Sequence, residues 1–156
     1  MAYKGKWRPK NRNKYEGDPT KIIYRSLWER STMKWADANP NITSWSSEEV
    51  VVPYRSAADG RIHRYYIDFK ITYTSGETVL VEVKPDKQTR PPKTPKRKTR
   101  RYLNEVKAFA VNWSKWEHAE EFAKDRGWRF EVWTEKDLKR LGIKIYESRP
   151  VRRKAK

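Results

Sequence analysis

The sequence contains no cysteine, so disulfides and thiolate zinc sites are excluded, and an intracellular life is the expectation. Histidine is almost as scarce. His63 and His118 are the only two, too few for an imidazole metal centre, so any metal must rest on carboxylates. Long apolar runs are missing too. No stretch approaches the ~20 residues needed to span a bilayer, and the start lacks the apolar centre of a signal peptide. Acid is in short supply: 20 Asp and Glu face 37 Lys and Arg, a formal charge of +17 over 156 residues. That excess goes beyond what solubility requires and points to a polyanionic partner, nucleic acid first and an acidic membrane surface second.

Aromatic residues are plentiful, with eight Trp and nine Tyr. Most recur at helical or strand spacing, which reads as core packing, with a remainder available to stack on bases.

The most informative stretch is residues 67–85. Two β-type runs, 62–73 and 78–84, flank Ser75-Gly76, a hairpin signal. Asp68 sits on the first strand; Glu82 and Lys84 share a face of the second. Two acids and a lysine on neighbouring strands can bind Mg²⁺ or Mn²⁺ and orient a water at a phosphodiester. The geometry makes one demand. A two-residue loop would put Asp68 opposite Val83, on the wrong face, so an odd loop or a bulge is required. The competing reading places Glu82 and Lys84 on the solvent face of an ordinary amphipathic strand, with Val79, Val81 and Val83 facing the core.

Residues 1–17 read as a basic extended arm. Asp18-Pro19 signals a helix start, and the pattern continues to Ala38 before Asn39-Pro40. Glu29 lies at the edge of its apolar stripe, either in a surface ion pair with Arg25 or Arg30 or as a third carboxylate reaching the site. A strand is expected over 45–54 and a turn at Asp59-Gly60. Beyond Lys84 comes a basic, proline-stiffened segment with no other apolar residue. Its Lys87, Arg90, Lys93, Lys96, Arg97, Lys98, Arg100 and Arg101 suit a sequence-independent grip on phosphates. Helical spacing follows from Tyr102, a capping box at Ser114 marks a second helix to Asp125, and Gly127 stops it. A fourth strand over 128–133, a short helix capped by Thr134 and a basic tail complete the chain. The division is an arm (1–17), one domain (18–147) and a tail (148–156). His63 falls on the strand face opposite Asp68 and reads as structural or phosphate-facing. Gln88 reads as a solvated loop residue.

The order helix, three-stranded antiparallel meander, helix, fourth strand, with an acid and an acid-x-Lys on the second and third strands, resembles the α/β restriction-endonuclease-like PD-(D/E)xK core. Longer strings are more specific: Thr-Lys-Ile-Ile-Tyr-Arg-Ser-Leu-Trp-Glu-Arg at 20–30, Pro-Tyr-Arg-Ser at 53–56, His-Arg-Tyr-Tyr-Ile-Asp-Phe at 63–69, Val-Glu-Val-Lys-Pro at 81–85 and Lys-Gln-Thr-Arg-Pro-Pro-Lys at 87–93. Over residues 2–135 these resemble the head completion nucleases of T-even-type tailed phages, a branch similar to the endonuclease subunit of heteromeric transposases. The resemblance implies Asp68 and Glu82 as metal carboxylates, Lys84 as the catalytic lysine and Glu29 as a helix carboxylate. Val83 offers its carbonyl as an extra metal ligand. Ile67 stands where the superfamily label has proline, at a position that shapes the strand and holds no metal. The implied protein is an Mg²⁺-dependent DNA endonuclease, or an end- or flap-trimming nuclease, acting on packaged DNA before tail joining. It would work in the host cytoplasm during assembly or in the virion, its neighbour there the portal, a neck protein or DNA alone. The alternative is a non-catalytic DNA-binding plug of the virion. A ribosomal-type RNA-binding protein would explain the charge but leaves the acid, acid-x-Lys set without a purpose.

Overall fold

A computed structural model describes residues 4–145. The chain passes through β1 (Gly5–Lys6), a 3-10 turn (Arg12–Lys14), β2 (Ile23–Tyr24), α1 (Leu27–Ala38), β3 (Ile42–Ser47), β4 (Val51–Arg55), β5 (Ile62–Tyr66), β6 (Phe69–Tyr73) and β7 (Thr78–Val83). A second 3-10 turn (Asp86–Thr89), α2 (Arg100–Asp125), β8 (Arg129–Trp133) and α3 (Glu135–Arg140) follow. Strands β3, β6, β7 and β8 lie in that order in one sheet. The first three are antiparallel, and β8 adds parallel to β7 through the α2 crossover.

Both faces of this sheet are covered. Phe69, Ile71, Val79 and Val81 pack with Met33 and Ala36 of α1 and with Trp45, Trp133 and Leu138. Leu80 faces a second core with Ile67, Val52, Tyr65 and the α2 residues Trp116, Ala119 and Ala123. Each Val, Leu, Ile, Phe or Met among them that is removed from water contributes roughly 1.5–3 kcal/mol. The consequence for β7 is direct. Thr78 to Glu82 are all buried, so the amphipathic reading with a solvent face does not hold.

The expected strands over 45–54 and 62–73 are each split in two. They form one long ribbon that bends where Glu48 adopts φ 55°, leaving β4 and β5 paired in a sheet of their own. Between Ser47↔Phe69 and Val51↔Tyr66 one strand has three residues and the other two, the signature of a bulge. Glu48 N donates to Ile67 O at 3.1 Å and Ile67 N to Val50 O at 2.9 Å, which knits the bend together. Asp68 sits at this bend, and His63 lies in the other sheet, its ring 2.8 Å from the Asp59 carboxylate.

Three further expectations give way to tertiary contacts. Residues 4–17 are not a free arm. Tyr15 is buried edge-on against Trp45 with ring centres 4.8 Å apart, and Trp7 meets the same indole. Lys10 N and Asn11 N donate to the buried carboxylate of Asp37. Two aromatic anchors separated by polar residues have no periodicity, so the sequence pattern conceals them. Helix α1 begins at Leu27 rather than after Asp18. Ile23 and Tyr24 are drawn into pairing with β1, Asp18 folds onto Thr20, and Ser26 becomes the cap. Helix α2 is a single helix from Arg100. Thr99 caps it, and Ser114 lies inside it, its hydroxyl satisfied by Ala110 O at 3.0 Å, so no second start arises there. Gly127 at φ 73° ends α2, and Thr134 caps α3 with Asp137 closing the box, as the sequence indicates. The basic tail from residue 146 onward lies outside the described residues. Among the described residues no helix is long and apolar enough to cross a membrane.

Candidate active site

The β6–β7 ladder pairs Phe69 with Val81, Lys70 with Leu80, Ile71 with Val79 and Thr72 with Thr78. Tyr73 N donates to Glu77 O at 2.8 Å, leaving residues 74–76 as a three-residue loop with Gly76 at φ 91°. This is the odd loop that a shared face requires. One step beyond the Phe69↔Val81 pair stand Asp68 and Glu82, across from each other on the same face.

Glu82 is 6% exposed. Its Oε2 accepts from the Tyr65 hydroxyl at 2.6 Å and from Trp116 Nε1. Its Oε1 is left toward Lys84, whose Nζ stands 3.8 Å away. Asp68 Oδ2 accepts from Val83 N at 2.9 Å. Burial, then the charge of Glu82, then that of Glu29 push the Asp68 carboxyl well above the ordinary carboxylate range, against the opposing pull of Val83 N and Lys84. Burial and the Glu82 charge push the Tyr65 hydroxyl upward too, so it remains a neutral donor.

Glu29 occupies the first turn of α1, held by the Ser26 cap, and is half-buried. Arg25 meets it through the main chain and not through the guanidinium. Its Oε2 accepts from the backbone N of Arg25 at 2.6 Å, while the Arg25 guanidinium takes Glu48 instead, at 2.7 and 3.2 Å. Burial pushes the Glu29 carboxyl up, and the nearby Glu48 charge adds to it. Glu29 therefore serves its helix start while its charge is felt at Asp68. The structure brings Asp68, Glu82 and Lys84 together, with Glu29 at the edge.

The donors are all oxygen, which suits a hard divalent cation. Among the described residues no three acidic or histidine side chains converge as a ligand set. A cation here would rest on two carboxylates, a main-chain carbonyl and water, which is how Mg²⁺ is commonly held. The crowding of Asp68 by Glu82 and Glu29 is what such a charge would relieve.

The basic segment follows directly. Asp86 N donates to Glu135 of α3 at 3.0 Å, and Thr94 meets the Tyr102 hydroxyl at 3.3 Å, so the segment is held at its start and near its middle. Lys87, Lys93, Lys96, Arg97, Lys98 and Arg100 are exposed; Arg90 pairs with Asp86 at 2.6 Å and Arg101 with Glu105 at 3.2 Å. Gln88 is exposed and its side chain has no hydrogen bond among the described residues.

Three residues at the site escape sequence reasoning: Tyr65, Trp116 and Glu48. Tyr65 comes from the second sheet and Trp116 from α2, so no local period links either of them to Glu82.

The crowded carboxylates carry a measurable consequence. The folded-state pKa of Asp68 lies above its unfolded value near 4, so the folded protein binds the extra proton. Its contribution to stability is complete below pH ~4 and is lost as pH rises through the raised value. Asp68→Asn in EDTA is expected to raise the melting temperature at pH 8 by roughly 2–5 °C, with a smaller gain at pH 5. Thermal melts check this, and an Asn variant melting below wild type at pH 8 would contradict it.

The mixed α/β sheet, with an acid and an acid-x-Lys brought together on adjacent strands, is the restriction-endonuclease-like core. Residues 39–135 match the family described as TnsA-like endonuclease N terminal, and the chain belongs to that nuclease family. Over 148 residues it is 45% identical to the head completion nuclease of Enterobacteria phage T4, covering 92% of this chain and 99% of the relative. No solved structure matches it.

Proposed function

We propose that this nuclease is a metal-dependent DNA endonuclease, or an end- or flap-trimming nuclease, that works on packaged DNA in phage head completion. One observation carries the reading: half-buried Asp68 and buried Glu82 stand one step beyond the Phe69↔Val81 pair, with Lys84 beside them. Burying two like charges together costs stability, and a DNA-binding plug has no use for that cost. Asp68, Glu82 and the Val83 carbonyl would hold Mg²⁺ or Mn²⁺, with Glu29 assisting from α1. When bound, such an ion supplies polarisation of a phosphodiester and a more acidic water. Lys84 Nζ orients the attacking water or steadies charge developing on the phosphorus oxygens. The segment from Lys87 to Arg101 holds the backbone in place. Action in the infected host cell accords with the relative's name, and a portal or neck protein is the virion neighbour of this reading.

The test is cleavage of supercoiled, linear and branched DNA by wild type and Asp68→Ala, each with Mg²⁺, Mn²⁺ or EDTA. Metal-dependent cutting by wild type alone is expected; DNA binding without cutting under any condition would overturn the reading in favour of a plug. Neutralising Lys96, Arg97 and Lys98 together is expected to weaken duplex binding and reduce the slope of log affinity against log salt by roughly 2–3. A titration from low to moderate salt measures that slope, and an unchanged value would remove the segment from the interface.

A further inference from the structure

The basic segment leaves much of the +17 charge unaccounted for, and part of the remainder converges elsewhere. A cavity of about 650 Å³ lies between the N-terminal strap, α1 and residues 142–144. It shares no residue with the carboxylate site or with the segment from Lys87 to Arg101. Four cations line it, Lys6, Arg30, Lys34 and Lys144, and among the described residues no acid does. Lys6, Lys34 and Lys144 form no ion pair among the described residues. Three rings complete the wall: Trp7, Tyr24 and Trp35.

These rings are held rigidly. Trp7 meets Trp45 edge-on at 5.7 Å, Trp35 meets Trp133 edge-on at 5.7 Å, and the Arg30 guanidinium lies 5.7 Å from the Tyr24 ring centre. Each is only partly buried, so core packing fixes one side and the cavity takes the rest. Fixed aromatic rings beside unpaired lysines match the chemistry of an unpaired nucleotide strand, whose bases stack and whose phosphates need cations. A duplex offers its phosphates but keeps its bases stacked internally. Helix α1 carries Glu29 on one face and Arg30 and Lys34 on the adjoining one, so a strand held in the cavity would lie along the helix that borders the carboxylates.

We infer that this cavity is a binding site for single-stranded DNA, distinct from the duplex grip of the basic segment. The inference goes beyond the nuclease reading and is tested without it, by binding in EDTA. The probes are a labelled thymidine oligomer of about 12 nucleotides, within the range one such site spans, and a labelled duplex of the same length. Lys6→Gln, Lys34→Gln and Lys144→Gln together alter only exposed side chains. This triple variant is expected to weaken oligomer binding about tenfold or more and to lower its salt slope by about 2. Duplex binding is expected to fall less than it does on neutralising Lys96, Arg97 and Lys98. The oligomer is also expected to quench tryptophan emission, and Trp7→Phe to remove part of that quench. Equal losses on both probes, or oligomer binding that the triple variant leaves untouched, would overturn the assignment, as would competition by polyglutamate as strong as by the oligomer. Failure of metal-dependent cutting would leave these binding results standing, so the two readings fail separately.

Discussion

Lys84→Ala is expected to slow DNA cleavage by about 10²–10⁴-fold while leaving DNA affinity nearly unchanged. The asymmetry follows from where the side chain ends. Lys84 is partly buried, and its Nζ lies 3.8 Å from Glu82 Oε1, within the carboxylate site. One ammonium removed there subtracts little from the phosphate attraction, which the exposed cations of the segment dominate. It does remove the donor positioned for the attacking water and for the charge that develops in the transition state. Single-turnover cleavage and anisotropy measured on the same preparation separate the two effects. Equal loss of binding and cutting would sink the catalytic assignment and make Lys84 a DNA contact.

Tyr65→Phe and Trp116→Phe are each expected to lower cleavage at limiting metal by about 10–100-fold, with partial recovery at high Mg²⁺ or Mn²⁺. Both donors converge on Glu82 Oε2. Satisfying that oxygen holds the carboxylate in one orientation and leaves Oε1 for the site. Tyr65→Phe keeps the ring and deletes the donor, whereas Trp116→Phe deletes the donor and also shrinks an indole to a phenyl, which adds a packing loss beside Leu80 and Ala119. A charged carboxylate then loses a buried partner, which costs more than the hydrogen bond was worth in net stability. Metal titrations of activity distinguish a positioning role from a structural one. A variant with reduced melting temperature but unaltered metal dependence would assign these residues to packing alone.

How far the site was legible depends on the kind of contact involved. Asp68, Glu82 and Lys84 were readable because strand alternation is a local rule, and the odd loop it demanded is the one found, closed by Tyr73 N to Glu77 O. The same rule failed one strand earlier. It extended β3 through Glu48 and β5 through Ile67, because a bulge leaves no mark when the residue in the left-handed conformation is Glu rather than Gly. The arm failed for a related reason. Tyr15 is buried by Trp45, a partner thirty residues away, so polar neighbours in sequence say nothing about its surroundings. Glu29 stood out in the sequence, but its immediate partner, the backbone N of Arg25, depended on where α1 began. That start was moved by the pairing of β2 with β1.

By itself the sequence determined the chemistry available: no thiols, almost no imidazole, a large cationic excess and an acid, acid-x-Lys set at strand spacing. Those features follow from residue identity and from the period of two, which hold wherever the chain goes. Only the tertiary structure decided which groups surround the carboxylates. Tyr65 and Trp116 reach Glu82 across 17 and 34 residues of chain, and the cationic cavity draws its rings and lysines from the N-terminal strap, the β2–α1 region and Lys144. Contacts of that range arise from burying two faces of one sheet under separate elements, and no local periodicity carries them.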